Sequence, residues 1–192
     1  MMMLTSLVVI LIAYALGCIA VGYYLVRWRT GKDLHELGSG ATGGRNTGRV
    51  LGKGGAIVTG AGDILKGVLA MAIALWFKLE PWALALVMIA VLLGHIWPIQ
   101  LGFKGGKGLS AAFGAVLVYD YRIALLTAIL ALFLLLISRG HELFFLTGIA
   151  CCPVIAFALG QRLEIVLGTA VLVLIILFAH RENIQKSLRP VS

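Results

Sequence analysis

Residues 4–26 read LTSLVVILIAYALGCIAVGYYLV, a run of 23 residues without a charged side chain. A transmembrane helix needs about 20 predominantly apolar residues to cross the hydrocarbon core of a bilayer. A cleaved signal peptide is the alternative, but no basic stretch precedes the run and no small-residue cleavage site follows it. The stretch therefore predicts an uncleaved membrane span.

The composition of the chain supports the same class of protein. Of the 192 residues, 61% are apolar and 12% are charged, whereas a soluble domain carries about 25% charged residues. The net charge of +8 could indicate a nucleic-acid partner. In a membrane protein, however, excess lysine and arginine is typical of cytoplasmic loops. We therefore expect the lipid bilayer as a partner and no nucleic acid. The sequence leaves the oligomeric state open.

Seven apolar segments predict one all-α polytopic domain over residues 1–192. These segments cover residues 4–26, 56–77, 81–103, 109–119, 123–138, 143–160 and 165–179. The fourth segment is the shortest, because its 11 residues make about 16 Å of helix against a hydrocarbon core of about 30 Å. It is either a short or tilted span or a re-entrant segment.

The basic residues favour seven crossings. A single crossing over residues 109–138 would put Asp120 and Arg122 near the bilayer centre, which is costly. With seven crossings, one side collects Arg27, Arg29, Lys32, Arg45, Arg49, Lys53, Lys104, Lys107, Arg139, Arg181, Lys186 and Arg189. The other side has only Lys78, Arg122 and Arg162. This distribution predicts seven transmembrane helices with the N-terminus outside and the C-terminus in the cytoplasm.

The first polar motif, GSGATGGRNTGR at residues 38–49, has the composition of an anion-binding loop. Its glycines, Gly43 among them, let backbone N–H groups approach an anion closely. Further donors come from Ser39, Thr42, Asn46, Arg45 and Arg49. Arg45 and Arg49 are four residues apart, so on a helix they share one face and could clamp a phosphate. The alternative is a flexible loop whose arginines only set the topology.

The second motif combines GHIWP at residues 94–98 with GFKGGKG at residues 102–108. It fails the Walker A pattern at both ends, yet two lysines among glycines suit a phosphate held at the start of the next helix. The residues of interest are Lys104, Gly105, Gly106, Lys107 and Gly108. A plain topogenic anchor would leave the glycines unexplained. His95 is equally compatible with helix packing and with a ligand contact.

Two smaller polar clusters complete the candidates. His180 and Asn183 lie three residues apart in HRENI, so a helix would present both on one face, where they could bond hydroxyl groups. A polar helix end is the alternative. Asp63 and Lys66 lie within an apolar segment, where charged residues usually face the bundle interior and pair. We expect a structural ion pair that supports the site, with direct substrate contact as the alternative.

These motifs, in this order, resemble the bacterial glycerol-3-phosphate acyltransferase family that uses acyl phosphate as donor. Members carry GSGN-x-GATN-x-x-R, then GH-x-x-P and FKGGKG, then HRENI. The counterparts are residues 38–49, 94–108 and 180–184, and the match covers nearly the whole chain. Three positions of the first motif depart from the usual Asn, Ala and Thr: Ala41, Gly44 and Arg45.

The resemblance implies a seven-helix enzyme of the bacterial inner membrane. Its reaction joins acyl phosphate and sn-glycerol 3-phosphate into 1-acyl-glycerol 3-phosphate and inorganic phosphate, an early step of phospholipid synthesis. The expected contacts of glycerol 3-phosphate are Ser39, Arg45 and Lys104, with His180 and Asn183 orienting its hydroxyls. The residues expected to hold the acyl phosphate and stabilise the developing oxyanion are Thr42, Gly43, Asn46 and Lys107. Further binding positions are Arg49, Gly105, Gly106 and Gly108, and the supporting residues are Asp63, Lys66 and His95.

The chemistry itself requires neither a nucleophilic side chain nor a cofactor or metal, because acyl phosphate is an activated mixed anhydride. The general base is either His180 or the acyl-phosphate group, since phosphate monoanions titrate near pH ~6. Acyltransferases that use acyl-CoA or acyl-carrier protein typically need H-x-x-x-x-D, and no histidine here has an aspartate five residues on. The alternative function is a phosphate or organic-anion transporter, which should carry its polar residues near the bilayer midplane.

Overall fold

The protein is described by a computed structural model that covers residues 2–139 and 141–188. Arg189, which contributed to the predicted charge bias, lies outside the described residues. The helices are α1 (Met2–Gly17), α2 (Val21–Thr30), α3 (Gly44–Trp76), α4 (Pro81–Ile96), α5 (Leu109–Tyr119), α6 (Tyr121–Ile137), α7 (Glu142–Ala150), α8 (Cys152–Ala158), α9 (Leu163–Ala179) and α10 (Arg181–Leu188). Short 3-10 turns lie at Leu34–Glu36 and Ile99–Leu101. The described residues include no strand, so the all-α prediction is confirmed for them.

Every predicted apolar segment contains helix, but three of them are shorter or broken. The first is interrupted between α1 and α2 at residues 18–20. The third ends as α-helix at Ile96, because Pro98 disfavours helical geometry at the residue before it. The sixth divides at Cys151, where Pro153 in the first turn of α8 cannot donate an N–H to α7.

Among the described residues, three helical stretches are long and apolar enough to cross a membrane by themselves. They are Met2–Thr30, Gly44–Trp76 and Pro81–Leu101. The pair α9 and α10, bent by 61°, would make a fourth, while α5, α6 and the combined Glu142–Ala158 segment are apolar but shorter. The number of crossings and the orientation therefore stay predictions.

Close backbone contacts hold the central helices together. A Cβ atom on Gly67 of α3 would lie 2.1 Å from the Ala111 carbonyl oxygen, and one on Gly114 of α5 would lie 2.1 Å from that of Ile64. Such contacts between apolar helices require residues without side chains. The α1–α4 pair uses Gly17 in the same way.

Helix α3 reverses direction at Gly52, which has φ 73° and ψ −169°. In a straight helix, residues 44 and 56 would be about 18 Å apart. Here a Cβ atom on Gly44 would lie 3.0 Å from the Ala56 carbonyl oxygen, so residues 44–51 fold back along the following turns. We call residues 44–51 the α3 arm. The arm carries the second half of the first glycine-rich motif.

Candidate active site

The three polar motifs meet at one open cavity of about 1010 Å³. The predicted site residues that line it are Ser39, Gly43, Arg45, Asn46, Arg49, His95, Lys107, Gly108, His180 and Asn183. The predicted residues that do not line it are Thr42, Asp63, Lys66, Lys104, Gly105 and Gly106. The end of the helix bundle that contains this cavity is called the motif end below.

Three helices begin at the cavity wall. Gly44 starts α3, Leu109 starts α5 and Glu142 starts α7, and each of these residues lines the cavity. The first N–H groups of a helix have no partner within it, and they carry the positive end of the helix dipole. Together with Arg45 and Arg49 on the α3 arm, they make the cavity suited to an anionic group. The shared helical face predicted for these two arginines is confirmed.

The side chain of Asn46 holds the first glycine loop. Its Oδ1 accepts the Ser39 N–H at 2.9 Å, and its Nδ2 donates to the carbonyls of Leu37 and Ala41 at 2.9 and 3.0 Å. Both amide hydrogens are thereby used. The substrate contact expected of Asn46 stays a prediction, and it would require one of these hydrogen bonds to open.

A carboxylate that the sequence analysis missed connects the motifs. Arg45 Nη1 donates to Glu142 Oε2 at 3.0 Å, and Asn183 Nδ2 lies 2.7 and 2.8 Å from the two Glu142 oxygens. Lys107 Nζ donates to Asn183 Oδ1. Glu142 therefore ties the α3 arm to α10, and Asn183 ties both to the second glycine loop. Nothing in the sequence singles Glu142 out, because Asp33, Glu36 and Glu182 fall on the same predicted side of the membrane.

The ammonium group of Lys107 is half-buried at this cavity. Burial lowers the pKa of Lys107 below its ordinary value, whereas the Glu142 carboxylate opposes this shift and the Arg45 charge adds to it. A bound phosphate would oppose the shift as Glu142 does. The Lys107 ammonium group is therefore placed where it would stabilise a bound anion.

His180 is fixed in one orientation at the end of α9. Its side chain is buried, and Nδ1 lies 2.8 Å from the Ile176 carbonyl oxygen. A carbonyl can only accept, so Nδ1 carries the hydrogen and the neutral ring presents its lone pair at Nε2. Nε2 lies 4.0 Å from Glu142 Oε1, beyond hydrogen-bond range. The geometry leaves Nε2 available to a ligand hydroxyl.

The second glycine loop packs against His95. The N–H groups of Gly105 and Gly106 each donate at 3.0 Å, to the carbonyls of Ile96 and His95. A Cβ atom on Gly106 would lie 2.1 Å from His95 Nε2, so only glycine fits over the ring. Lys104 is exposed, and its contact with glycerol 3-phosphate stays a prediction.

The predicted ion pair beneath this loop is confirmed. Lys66 Nζ lies 2.9 Å from Asp63 Oδ1, and His95 Nδ1 lies 3.4 Å from the same oxygen. Lys66 also donates to the carbonyls of Gly17 and Ile19 at 3.0 and 2.9 Å. The pair therefore links α1 and α3, and reaches the second loop through His95. Its supporting role in function stays a prediction.

A second pocket, almost wholly apolar, adjoins the cavity. Leu109 lines both of them. Beyond Leu109 the pocket runs between α5, α6, α8 and α9, past Phe113, Thr127 and Cys152. At about 60 Å³ this pocket admits only a short apolar group of a ligand whose charged part lies in the cavity.

Apolar helices around a cationic, donor-rich cavity define a helical membrane protein with a site for an anionic ligand. The family model described as Glycerol-3-phosphate acyltransferase matches residues 7–190. The chain belongs to the glycerol-3-phosphate acyltransferase family, which confirms the resemblance seen in the motifs.

Relatives and solved structures agree with this assignment. The chain is 46% identical over 184 residues to Glycerol-3-phosphate acyltransferase 1 of Desulfitobacterium hafniense, covering 95% of this chain and 91% of that protein. It is 38% identical to the Synechococcus enzyme over 97% of this chain and 94% of the relative. A crystal structure of PlsY (YgiH), an integral membrane glycerol 3-phosphate acyltransferase in its glycerol 3-phosphate form, superposes with a TM-score of 0.89 at 32% identity, covering 95% and 92% of the two chains. The fold is therefore that of an integral membrane protein.

Proposed function

We propose that this protein transfers a fatty acyl group from acyl phosphate to the sn-1 hydroxyl of glycerol 3-phosphate. The observation that carries the proposal is the cavity itself, where Arg45 and Lys107 stand beside His180 and Asn183, with an apolar pocket beyond Leu109. Relatives are named for glycerol 3-phosphate, and one similar structure is a lysophosphatidic acid form. The acceptor and the product that these names give are both anionic, which suits the cationic cavity.

In the proposed reaction the sn-1 oxygen bonds to the acyl carbonyl carbon. The bond from that carbon to the phosphate oxygen breaks, and inorganic phosphate leaves with the electron pair. Because phosphate is a good leaving group, no covalent acyl-enzyme intermediate is needed. The absence of H-x-x-x-x-D from the sequence supports acyl phosphate over acyl-CoA as the donor.

The proton of the sn-1 hydroxyl needs an acceptor, and we assign it to His180 Nε2. Its ring is held by the Ile176 carbonyl with the lone pair at Nε2. Asn183, held between Glu142 and Lys107, is placed to orient the glycerol hydroxyls. The phosphate group of the donor is the alternative acceptor.

The anionic groups of the two substrates are assigned to the cations and helix N-termini of the cavity. Arg45 and Ser39 take glycerol 3-phosphate, as does Lys104 if its exposed side chain reaches the bound phosphate. Lys107 and the backbone at Thr42 and Gly43 are assigned to the acyl phosphate and the developing oxyanion. Because the Thr42 N–H donates to the Gly105 carbonyl, its part in this binding would require that hydrogen bond to open. Arg49, Gly105, Gly106 and Gly108 complete the binding positions.

We further propose seven crossings of a bacterial inner membrane, with the N-terminus outside and the motif end in the cytoplasm. Seven helical segments support this count, if α1 with α2 and α7 with α8 each form one crossing and the polar helix α10 forms none. The concentration of lysine and arginine at the motif end supports the orientation. A C-terminal reporter that is active only in the cytoplasm should be active. An inactive fusion, together with activity of a matched C-terminal reporter that works only in the periplasm, would overturn the orientation.

The deciding experiment supplies purified protein in detergent with labelled acyl phosphate and glycerol 3-phosphate, without CoA or metal. Formation of 1-acyl-glycerol 3-phosphate is expected. Parallel reactions with acyl-CoA or acyl-carrier protein should give no product. Transfer from either of these and not from acyl phosphate would contradict the proposed donor. A transporter is not favoured, because the matched relatives are named as acyltransferases.

A further inference from the structure

The two glycine loops are joined at two adjacent carbonyl groups of the second loop. His35 Nε2 lies 2.8 Å from the Lys104 carbonyl oxygen, and the Thr42 N–H donates to the Gly105 carbonyl at 3.3 Å. Carbonyl oxygens only accept, so the His35 ring donates through Nε2. We call these two hydrogen bonds the inter-loop clasp.

The ring of His35 is held in place by Asp33. Asp33 Oδ1 lies 3.1 Å from His35 Nδ1 and accepts the His35 backbone N–H at 2.8 Å. The Tyr23 hydroxyl donates to Asp33 Oδ2 at 3.2 Å, and the Tyr23 ring lies 5.2 Å from the imidazole. With an oxygen acceptor at each ring nitrogen, a protonated imidazole would satisfy both. The His35 backbone N–H, followed by Tyr23 and the His35 ring, holds the pKa of Asp33 below its ordinary value despite opposing desolvation.

The clasp lies outside the cavity but joins the segments that form it. Ser39 and Arg45 follow His35 in the chain, and Lys107 follows Lys104. These three later residues line the cavity, whereas His35 and Lys104 do not. The spacing between the two cationic walls therefore depends on how the loops are joined. We infer that His35, oriented by Asp33, is a positioning residue that fixes the spacing between the two substrate-binding loops. Only the kinetic consequence rests on the proposed function.

Hydrogen–deuterium exchange tests the clasp without any substrate. In His35→Phe the ring volume and the contact with Tyr23 are kept, but the donor to Lys104 is lost. Exchange of the amides at residues 104–108 should rise about tenfold, because those of Gly105 and Gly106 are protected by hydrogen bonds to the Ile96 and His95 carbonyls at the end of α4, and these depend on the position of the loop. His35→Arg should restore protection, since a guanidinium can donate to a carboxylate and a carbonyl at once. Glu36→Ala, an exposed residue of the same turn, is the matched control.

Kinetics of the same variants test the consequence. His35→Phe should raise the KM for glycerol 3-phosphate about tenfold while leaving kcat within about threefold, and His35→Arg should return KM to the wild-type value. Unchanged exchange in His35→Phe would overturn the clasp, and raised exchange with an unchanged KM would overturn the positioning role. If His35→Phe does not fold, Asp33→Asn carries the same comparison. Wild-type protein that acylates no glycerol 3-phosphate would refute the proposed function, while the exchange data would still decide the clasp.

Discussion

The two ends of the helix bundle use the same kinds of side chain for different purposes. At the end opposite the cavity, Asp120 alone joins α5 to α6 and accepts from Arg122 at 2.7 and 3.0 Å and from Gln161 at 2.7 Å. Tyr119 in turn donates to Gln161 at 2.8 Å. We call these four residues the corner lock. Its one carboxylate is matched by an arginine two residues further along the chain, and Gln161 joins it from just before α9.

At the motif end the corresponding carboxylate is Glu142, which also meets an arginine and an amide. Its arginine, however, lies 97 residues away in the chain, whereas the amide partner of each carboxylate is 41 residues away. Arg49, Lys107 and Lys186 line the same cavity, so cations exceed carboxylates there. The comparison teaches that paired charges close one end of the bundle, whereas surplus positive charge keeps the other open to anions.

The largest effect is expected from His180→Gln. Glutamine keeps a hydrogen-bonding side chain but cannot take up the hydroxyl proton, so kcat should fall by about 10²–10⁴-fold. Steady-state assays with saturating substrates measure this, and thermal unfolding monitors the fold. A variant with most of its kcat intact would move the base role to the acyl-phosphate group.

A matched pair of arginine substitutions tests the difference between the two ends directly. Arg45→Ala removes a cation from the cavity and leaves Glu142 without its charged partner, so kcat/KM for glycerol 3-phosphate should fall about 100-fold. Arg122→Ala removes the cation of the corner lock and should leave kcat/KM within about twofold. Equal effects of the two substitutions would refute the functional contrast between the ends.

Gly52→Ala tests whether the reversal of α3 creates the cavity. At φ 73° and ψ −169° an alanine is strained by about 1–3 kcal/mol, so the melting temperature and the activity should both fall. Gly54→Ala is the control, because a Cβ atom there meets nothing within 4 Å and its backbone needs no positive φ. Identical behaviour of the two variants would argue against the reversal.

The smallest effect is expected from Asp120→Asn at the corner lock. The side-chain and backbone hydrogen bonds from Arg122 lower the pKa of Asp120, with desolvation opposing them. Because the folded pKa lies below the unfolded value of about 3.9, the lock stabilises the fold above that pH and loses this contribution as the pH falls through the folded pKa. The melting temperature of Asp120→Asn should be a few degrees below that of the wild type near pH 7. This difference should become smaller below pH 4, and the activity should be unchanged. A drop that persists at low pH would contradict this assignment.

The sequence predicted the parts of the fold that depend on local composition. Hydropathy located the helical segments, including the separate short helix over residues 109–119, because apolar length is a local property. The reversal at Gly52 was missed, since helix-compatible residues continue on both sides of a glycine that differs in no visible way from its neighbours. The backbone angles of Gly52 and the contacts of Gly44 and Gly48 with Ala56 reveal it.

For the site, the sequence supplied residue types but not their tasks. The sequence placed the three motifs on the same side of the membrane, and all three line one cavity. That placement needs only the number of predicted crossings and the distribution of lysine and arginine, and both can be counted along the chain. It could not decide that the amide of Asn46 binds loop carbonyls, since an amide serves a backbone or a phosphate equally well. Glu142 was missed because its partners Arg45 and Asn183 become neighbours only through tertiary packing.

The α3 arm has a consequence for where the water-soluble and the lipid reactants can meet. Gly44 lies beside Ala56 and Gly60, so it sits about 12 Å along the helix from the turn at Gly52. The arm thus carries backbone donors and Arg45 down from the outer edge of the protein towards the apolar pocket at Leu109. Under the proposed function, the polar reactant would meet the lipid acyl chain deep in this cavity rather than at the outer edge of the protein.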